Sequence, residues 1–285
     1  MSSTSLPDRT LARSATRVGV RQSVDPPPDI FTLGRALAAL DGRDILDEFD
    51  TVAQDIQRGL LDVRNVRYAG LDVGIRAAPA RIVGGDYLDV VDRNGLPPVF
   101  AIGDASGRSL PAALRALTLK YVIRALIAAD RELVDIVGTA NVVMADAVHG
   151  EEFLSMVLCA IGDGGRTLAI ANAGHDPPLV YRADRDDVDE LPPSGLVLGI
   201  DRAHRYAEQR VPLGPRDIVV LYTDGFVEAR NPRGEQFTLA HLKDCLLEGV
   251  TFEAQALADA LFERVEEHAA GTMRDDASVM VVRVE

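Results

Sequence analysis

Short apolar runs that stop at glycine and aspartate recur along this chain. Val99, Phe100, Ala101 and Ile102 lead into Gly103-Asp104, and Ile218 to Tyr222 lead into Thr223-Asp224-Gly225. Short continuous apolar runs bounded by turn residues read as buried strands. The same reading makes strands of Leu71 to Ala77, Val83 to Val91, Phe153 to Ile161, Thr167 to Ala171, Leu179 to Tyr181 and Ser278 to Val284. Gly84-Gly85 interrupt the second of these just before Asp86, and Asn94-Gly95 is a turn signal. The loop from Asn172 to Pro178 reads as the connection of a hairpin between its flanking strands.

Elsewhere the apolar period changes from strand-like to helical. Ile45, Phe49, Val52, Ile56 and Leu60 fall on one helical face. That stripe either packs on the main domain or pairs with another chain. A second helix runs through Leu114, Leu117, Val122 and Leu126, with Ser109 placed to cap it and Pro111 in its first turn. Glu132 to Val148, Leu239 to Leu247 and Ala254 to His268 are also helical. Residues 1–28, rich in Ser, Arg and Pro, read as a disordered tail. Residues 29–62 then form a helical linker, and 63–285 the main domain. Strands outnumber helices and the turns favour antiparallel pairing, so the fold class is α+β.

Composition narrows the function classes. The chain of 285 residues is 47% hydrophobic and 26% charged, which is ordinary globular usage. No apolar run is long enough to span a bilayer, and the first residues lack the apolar core of a secretory signal. The net charge of −14 argues against nucleic acid as a partner. It serves solubility, or it reflects aspartates gathered around cations. Trp is absent and aromatics are 5%, which disfavours a stacking platform. Cys159 and Cys245 are the only cysteines and read as small core residues in a reducing cytoplasm.

The aspartates carry the candidate chemistry. Gly85-Asp86, Gly103-Asp104 and Asp224-Gly225 each set a carboxylate beside a glycine at a strand end or break, and Asp275-Asp276 lead into the last strand. One such aspartate is most often a turn residue. Several brought together could not all stay ionised without counter-cations. An oxygen-only set favours Mg2+ or Mn2+ over zinc. Paired ions of that kind activate a water for in-line attack on a phosphoryl group, so no protein nucleophile is required. Ser106 and Ser109 lie near Asp104 without a partner to act as base.

The stretches VGGDYLDV, GDASGRSLPAAL, NAGHDPP, LYTDGFVEARN and RDDASVMVV stand in this order. Together they resemble the SpoIIE-type, RsbU-like branch of the metal-dependent protein phosphatase 2C superfamily, with the likeness running from about Gln57 to Glu285. The resemblance implies an α-β-β-α sandwich of two antiparallel sheets flanked by helices. It also implies a centre of two Mn2+ or Mg2+ ions, a third being left open. Asp86, Asp104 and Asp224 match the family's metal-binding aspartates, with Asp104 as the bridge and Ala105 offering its backbone carbonyl. Asp275 is the better match for the last ligand, with Asp276 as the alternative. The implied activity is dephosphorylation of phosphoserine or phosphothreonine on a protein, typically an anti-sigma-factor antagonist in a partner-switching pathway. Where relatives read Gly-His-Gly, this chain has Gly107-Arg108-Ser109. Arg108 either contacts a phosphate or faces solvent.

Other residues carry bland readings beside sharp ones. Asp89 either supports the site or is a plain strand residue. His175 more often fixes its loop than donates a proton. Signal input would come from an upstream activator or from self-association through residues 29–62. Two competing functions are weighed against the phosphatase. One is a phosphatase-like scaffold that binds sigma-factor regulators without turnover. The other is a two-metal nucleotidyl cyclase, suggested only by the Gly84-Gly85-Asp86 turn.

Overall fold

A computed structural model of the chain describes residues 42–61, 68–93, 95–107, 109–148, 150 and 152–285. The expected tail over 1–28 and Arg108 lie outside the described residues. The elements in order are α1 (Gly42–Leu61), β1 (Leu71–Ala78), β2 (Asp86–Arg93), β3 (Leu96–Ala105), α2 (Leu110–Ala128), α3 (Leu133–Ala147), β4 (Leu154–Gly162), β5 (Thr167–Ala173), β6 (Leu179–Arg182), β7 (Asp187–Glu190), β8 (Gln209–Pro212), β9 (Ile218–Tyr222), α4 (Asp224–Val227), α5 (Thr238–Glu248), α6 (Ala254–His268) and β10 (Ala277–Val284). One sheet has the order β2-β3-β4-β5-β8, the other β1-β10-β9-β6-β7. All these pairings are antiparallel.

The continuous apolar runs have a simple cause: the central strands are buried on both faces. In β3, Val99 and Ala101 pack with Ala116 and Ile123 of α2 and Ile136 of α3. The alternate residues Phe100 and Ile102 point the other way, to Val219 and Leu221 of β9 and Met280 and Val282 of β10. Val220 of β9 and Val281 of β10 in turn meet Leu242 of α5 and Leu257 and Leu261 of α6. The result is the expected α-β-β-α sandwich, with an inter-sheet core between the two strand layers. Phe100 is wholly buried there, and truncating such a side chain to alanine costs about 3–5 kcal/mol. Cys159 belongs to this inter-sheet core, whereas Cys245 is only half buried against the α5–α6 layer.

The apolar stripe of α1 is partly spent on the domain. Ala53 and Leu60 are buried with the α2 side of the first sheet and Ile56 packs beside them, while Val52 is 48% exposed. No helix among the described residues is long and apolar enough to cross a membrane.

Several expectations need correction. β5 and β6 are not a hairpin: β5 pairs with β4 and β8, β6 with β7 and β9, so the Asn172–Pro178 segment crosses between the sheets. The Asn172 side chain binds both the N–H and the C=O of His175, at 2.8 and 3.1 Å. Those bonds bend the chain out of its sheet. β2 starts at Asp86 and not at Val83, because the Gly84 and Gly85 amides donate to side chains and not to a neighbouring strand. Ser109 does occupy the extended position before α2, but its hydroxyl makes no capping bond.

Candidate metal centre

The first sheet positions two aspartates by register alone. Asp86 opens β2 and pairs directly with Asp104 near the end of β3. The second sheet brings Asp224, at the start of α4 after β9, and Asp275-Asp276, just before β10. These strand ends share one edge of the sandwich. A cleft of about 640 Å³ opens there, lined by Arg81, Asp104, Ser106, Asp224, Glu228 and Asp275 among others.

Each carboxylate has its own environment. Asp104 is held at about 7, raised from an ordinary 3.8 first by burial and then by Asp224, Asp275, Asp276 and Asp176. Asp86 is pushed well up by burial and by Asp104. The hydroxyls of Ser278 and Thr223 oppose that shift by donating to its Oδ2 at 2.6 and 2.9 Å. Asp276 faces the backbone: its Oδ1 accepts from Ala80 N–H at 2.8 Å and its Oδ2 from Gly85 N–H at 2.7 Å. Of the adjacent pair, Asp275 lines the cleft and Asp276 ties down the loop before β2.

The two glycines of that loop are there for close approach. A Cβ on Gly84 would stand 1.7 Å from Asp276 Oδ2. A Cβ on Gly85 would stand 2.5 Å from the Ala105 carbonyl, 3.0 Å from Asp104 Oδ1 and 3.3 Å from the Gly107 carbonyl. Three oxygens therefore converge beside a residue with no side chain to fill the space. Among the described residues, no three or more His, Cys, Asp or Glu side chains form a ready cage for an ion. The donor set instead combines carboxylates with backbone carbonyls. That composition fits Mg2+ or Mn2+, which keep part of their water shell and accept oxygen ligands of both kinds.

Apart from Arg81, the remaining wall is neutral or acidic. His175 is fully buried and pushed down to about 4 by burial. Its Nδ1 accepts from the Ser155 hydroxyl at 2.7 Å and its Nε2 donates to the Tyr222 carbonyl at 3.1 Å. Both ring nitrogens are thus engaged in fixing the crossover loop, which matches the loop-fixing reading of this residue. Asp176 is raised by burial and by Glu228 across the cleft. Asp89 is buried and takes a two-pronged ion pair from Arg124 at 2.6 and 2.8 Å, so its role is structural. Asp176 and Glu228 stand in the stretches NAGHDPP and LYTDGFVEARN, but the pattern assigned them no role; nothing in its local sequence marks Arg81.

α1 reaches this edge as well. The Gln57 side-chain carbonyl accepts from Gly84 N–H at 2.7 Å, and Lys120 of α2 donates to the Leu60 and Leu88 carbonyls at 3.1 and 3.2 Å. The linker helix is therefore bonded to the loop that carries Asp86.

Comparison with known proteins agrees with this geometry. The family described as Stage II sporulation protein E (SpoIIE) matches residues 98–285. "Phosphoserine phosphatase RsbU" of Bacillus subtilis (strain 168) is 26% identical over 233 residues, covering 81% of this chain and 69% of that protein. Among solved structures, the SiaA-PP2C domain of Pseudomonas aeruginosa superposes with a TM-score of 0.70 at 21% identity, covering 89% of this chain and 99% of that one. The PP2C phosphatase domain of SpoIIE from Bacillus subtilis, with a fragment of its regulatory domain, gives 0.66 at 20% identity, covering 75% and 63%. The family match takes in the strand of Asp104, the turn of Asp224 and the approach to β10, and on it this chain belongs to the SpoIIE family, built on the PP2C phosphatase fold.

Proposed function

We propose that this chain is a metal-dependent protein phosphatase acting on phosphoserine or phosphothreonine. The observation that carries the reading is the convergence of Asp104, Asp224 and Asp275 on one cleft, with Asp104 raised to about 7 by burial and its acidic neighbours. Such a cluster is stable in its ionised form only with cations among the carboxylates. Asp86, Asp104, Asp224, Asp275 and the Ala105 carbonyl would hold two Mn2+ or Mg2+ ions. When bound, such ions neutralise phosphoryl charge and supply an activated water.

The chain's own residues do the rest. Asp86 stands opposite Asp104 across β2 and β3, and the Thr223 and Ser278 hydroxyls fix its carboxylate. Asp276 holds the Gly84-Gly85 turn against Ala105 and leaves the cleft to Asp275. Arg81 is the one cation among the described lining residues and is placed to meet the phosphoryl oxygens. His175, with both ring nitrogens bonded, holds the wall and carries no proton to the leaving group. The Gly84-Gly85-Asp86 turn that suggested a cyclase is accounted for by close packing on Asp276 and Ala105.

The substrate we infer is a phosphorylated anti-sigma-factor antagonist, with an activator or a second copy engaging residues 29–62. The likeness to a protein named phosphoserine phosphatase RsbU supports this. The test is release of phosphate from a phosphoserine peptide by the full chain. Activity with Mn2+ that EDTA abolishes is the expected result. Activity that survives EDTA refutes the metal centre. Binding of the phosphopeptide without turnover at saturating Mn2+ establishes the scaffold reading.

A further inference from the structure

The stretch Ala105–Gly107 contributes two of the oxygens beside Gly85, and the residue between them is gripped at three atoms. Ser106 N–H donates to the Phe153 carbonyl at 3.0 Å. Its Oγ accepts from Phe153 N–H at 2.9 Å. Its carbonyl accepts from Arg115 Nη2 at 3.2 Å. Arg115 then closes the circuit, because its Nη1 pairs with Glu152 at 2.9 Å, one residue before Phe153. Ser106, Phe153, Glu152 and Arg115 thus form a ring that joins the end of β3, the approach to β4 and helix α2.

Arg115 is an unusual residue for its place. It sits on α2 between the buried Ala113 and Ala116, and its side chain is only 12% exposed. Its Nε is buried without a hydrogen-bond partner. A helix that needed only to pack on the sheet would carry an apolar residue there. A guanidinium held this deep is costly, and its two ends are committed to the loop and to the segment that clamps the loop.

Resting on the metal-centre reading above, we propose that Arg115 is a positioning residue for the metal site. It orients the Ser106 peptide and thereby keeps the Ala105 and Gly107 carbonyls directed at the space beside Gly85. Glu152 orients Arg115.

The test measures Mn2+ binding to the full chain, without substrate, by calorimetry and by the electron paramagnetic resonance signal of free Mn2+. Melting of the metal-free protein is followed alongside. Arg115→Met is expected to weaken Mn2+ binding about tenfold or more, the usual effect of losing a residue that orients a ligand. Arg115→Lys should restore part of the affinity, and Glu152→Gln should lie between Arg115→Met and the unaltered protein. A purely structural role would lower the melting temperature and leave Mn2+ affinity intact, and that result overturns the proposal. Should Arg115→Met not fold, Arg115→Lys and Glu152→Gln decide it: unaltered Mn2+ affinity in both overturns it. Failure of the unaltered protein to bind Mn2+ instead overturns the metal centre, and this proposal with it.

Discussion

The two ends of the sandwich hold their aspartates in opposite ways. At the end away from the metal-site edge, a cleft of about 610 Å³ is lined by Arg182, Arg185, Asp189 and Asp217. There every buried carboxylate described has a cation. Arg182 pairs with Asp189 at 2.8 Å and with Asp217 at 3.2 Å, and Arg185 adds a second bond to Asp189 at 2.6 Å. The Arg182 guanidinium holds the Asp189 carboxyl below its ordinary value. Asp217 also accepts from the Ala183 and Gly214 amides at 2.9 Å each. At the other end, Asp86, Asp104 and Asp276 are all raised; Asp86 accepts from two hydroxyls and Asp276 from two backbone amides. Two clefts of similar size therefore differ in kind. One is a clasp between the β6–β7 and β8–β9 connections, with its charge balanced by arginine. The other gathers carboxylates, with Arg81 as the one cation among its described lining residues.

Substitutions separate the two ends most sharply. Asp104→Asn should lower phosphatase activity with Mn2+ by more than about a hundredfold, since it removes a ligand and not merely its support. Steady-state assay of the folded variant checks this, and retention of full activity would break the contrast at its centre. At the clasp the effect should be on stability. Arg182→Met removes the cation beside the buried Asp217 and one of the two beside Asp189, and should cost about 3 kcal/mol in urea unfolding. Turnover per folded molecule should stay unchanged; a large drop in turnover would show that the far end takes part in the chemistry.

Acidity distinguishes them next. The Asp104 carboxyl is raised, so the folded protein binds its proton more tightly than the unfolded chain does. Its contribution to stability is fully present below 3.8 and is lost as pH rises through about 7. In EDTA, the melting temperature should therefore fall as pH rises across that window, once the clasp contribution is subtracted using Asp104→Asn as reference. Asp189 acts in the reverse sense, its contribution being present above the ordinary carboxylate range and lost on acidification. Mn2+ should reverse the Asp104 slope, because binding needs the ionised form. An unchanged slope on adding Mn2+ would detach Asp104 from the ion. The smallest effect belongs to α1: Gln57→Leu removes the acceptor for Gly84 N–H and should cost about 1 kcal/mol, read by chemical unfolding. A variant as stable as the parent would mean that the linker helix is not tied to the Asp86 loop in solution.

Legibility in the sequence followed burial. The helix over Ala254 to His268 and the strand over Ile218 to Tyr222 have the bounds that their apolar pattern indicates. Both are framed by residues with strong local preferences. β7 and β8 escaped, since DVDE and QRVP are short, polar and at sheet edges, where no alternating core pattern is imposed. The crossover after β5 was misread because turn residues encode a bend and not the sheet that the chain joins next. Among the site residues, those beside a glycine at a strand end stood out. Asp176 and Glu228 lie in recognisable stretches that give them no role, and Arg81 and Arg115 come from a loop and a helix whose local pattern is unremarkable.

The sequence by itself determined the buried central strands and the glycine-flanked aspartates, because hydrophobic period and backbone freedom act over a few residues. Only the tertiary structure decided how those aspartates divide. Asp275 and Asp276 are identical in type and adjacent in sequence, yet one lines the cleft and the other accepts the Ala80 and Gly85 amides. The same holds for Asp104 and Asp217, of which one is crowded by carboxylates and the other sits beside Arg182. Charge is a property of the residue, but its compensation depends on distances across the sandwich, and those are set by packing.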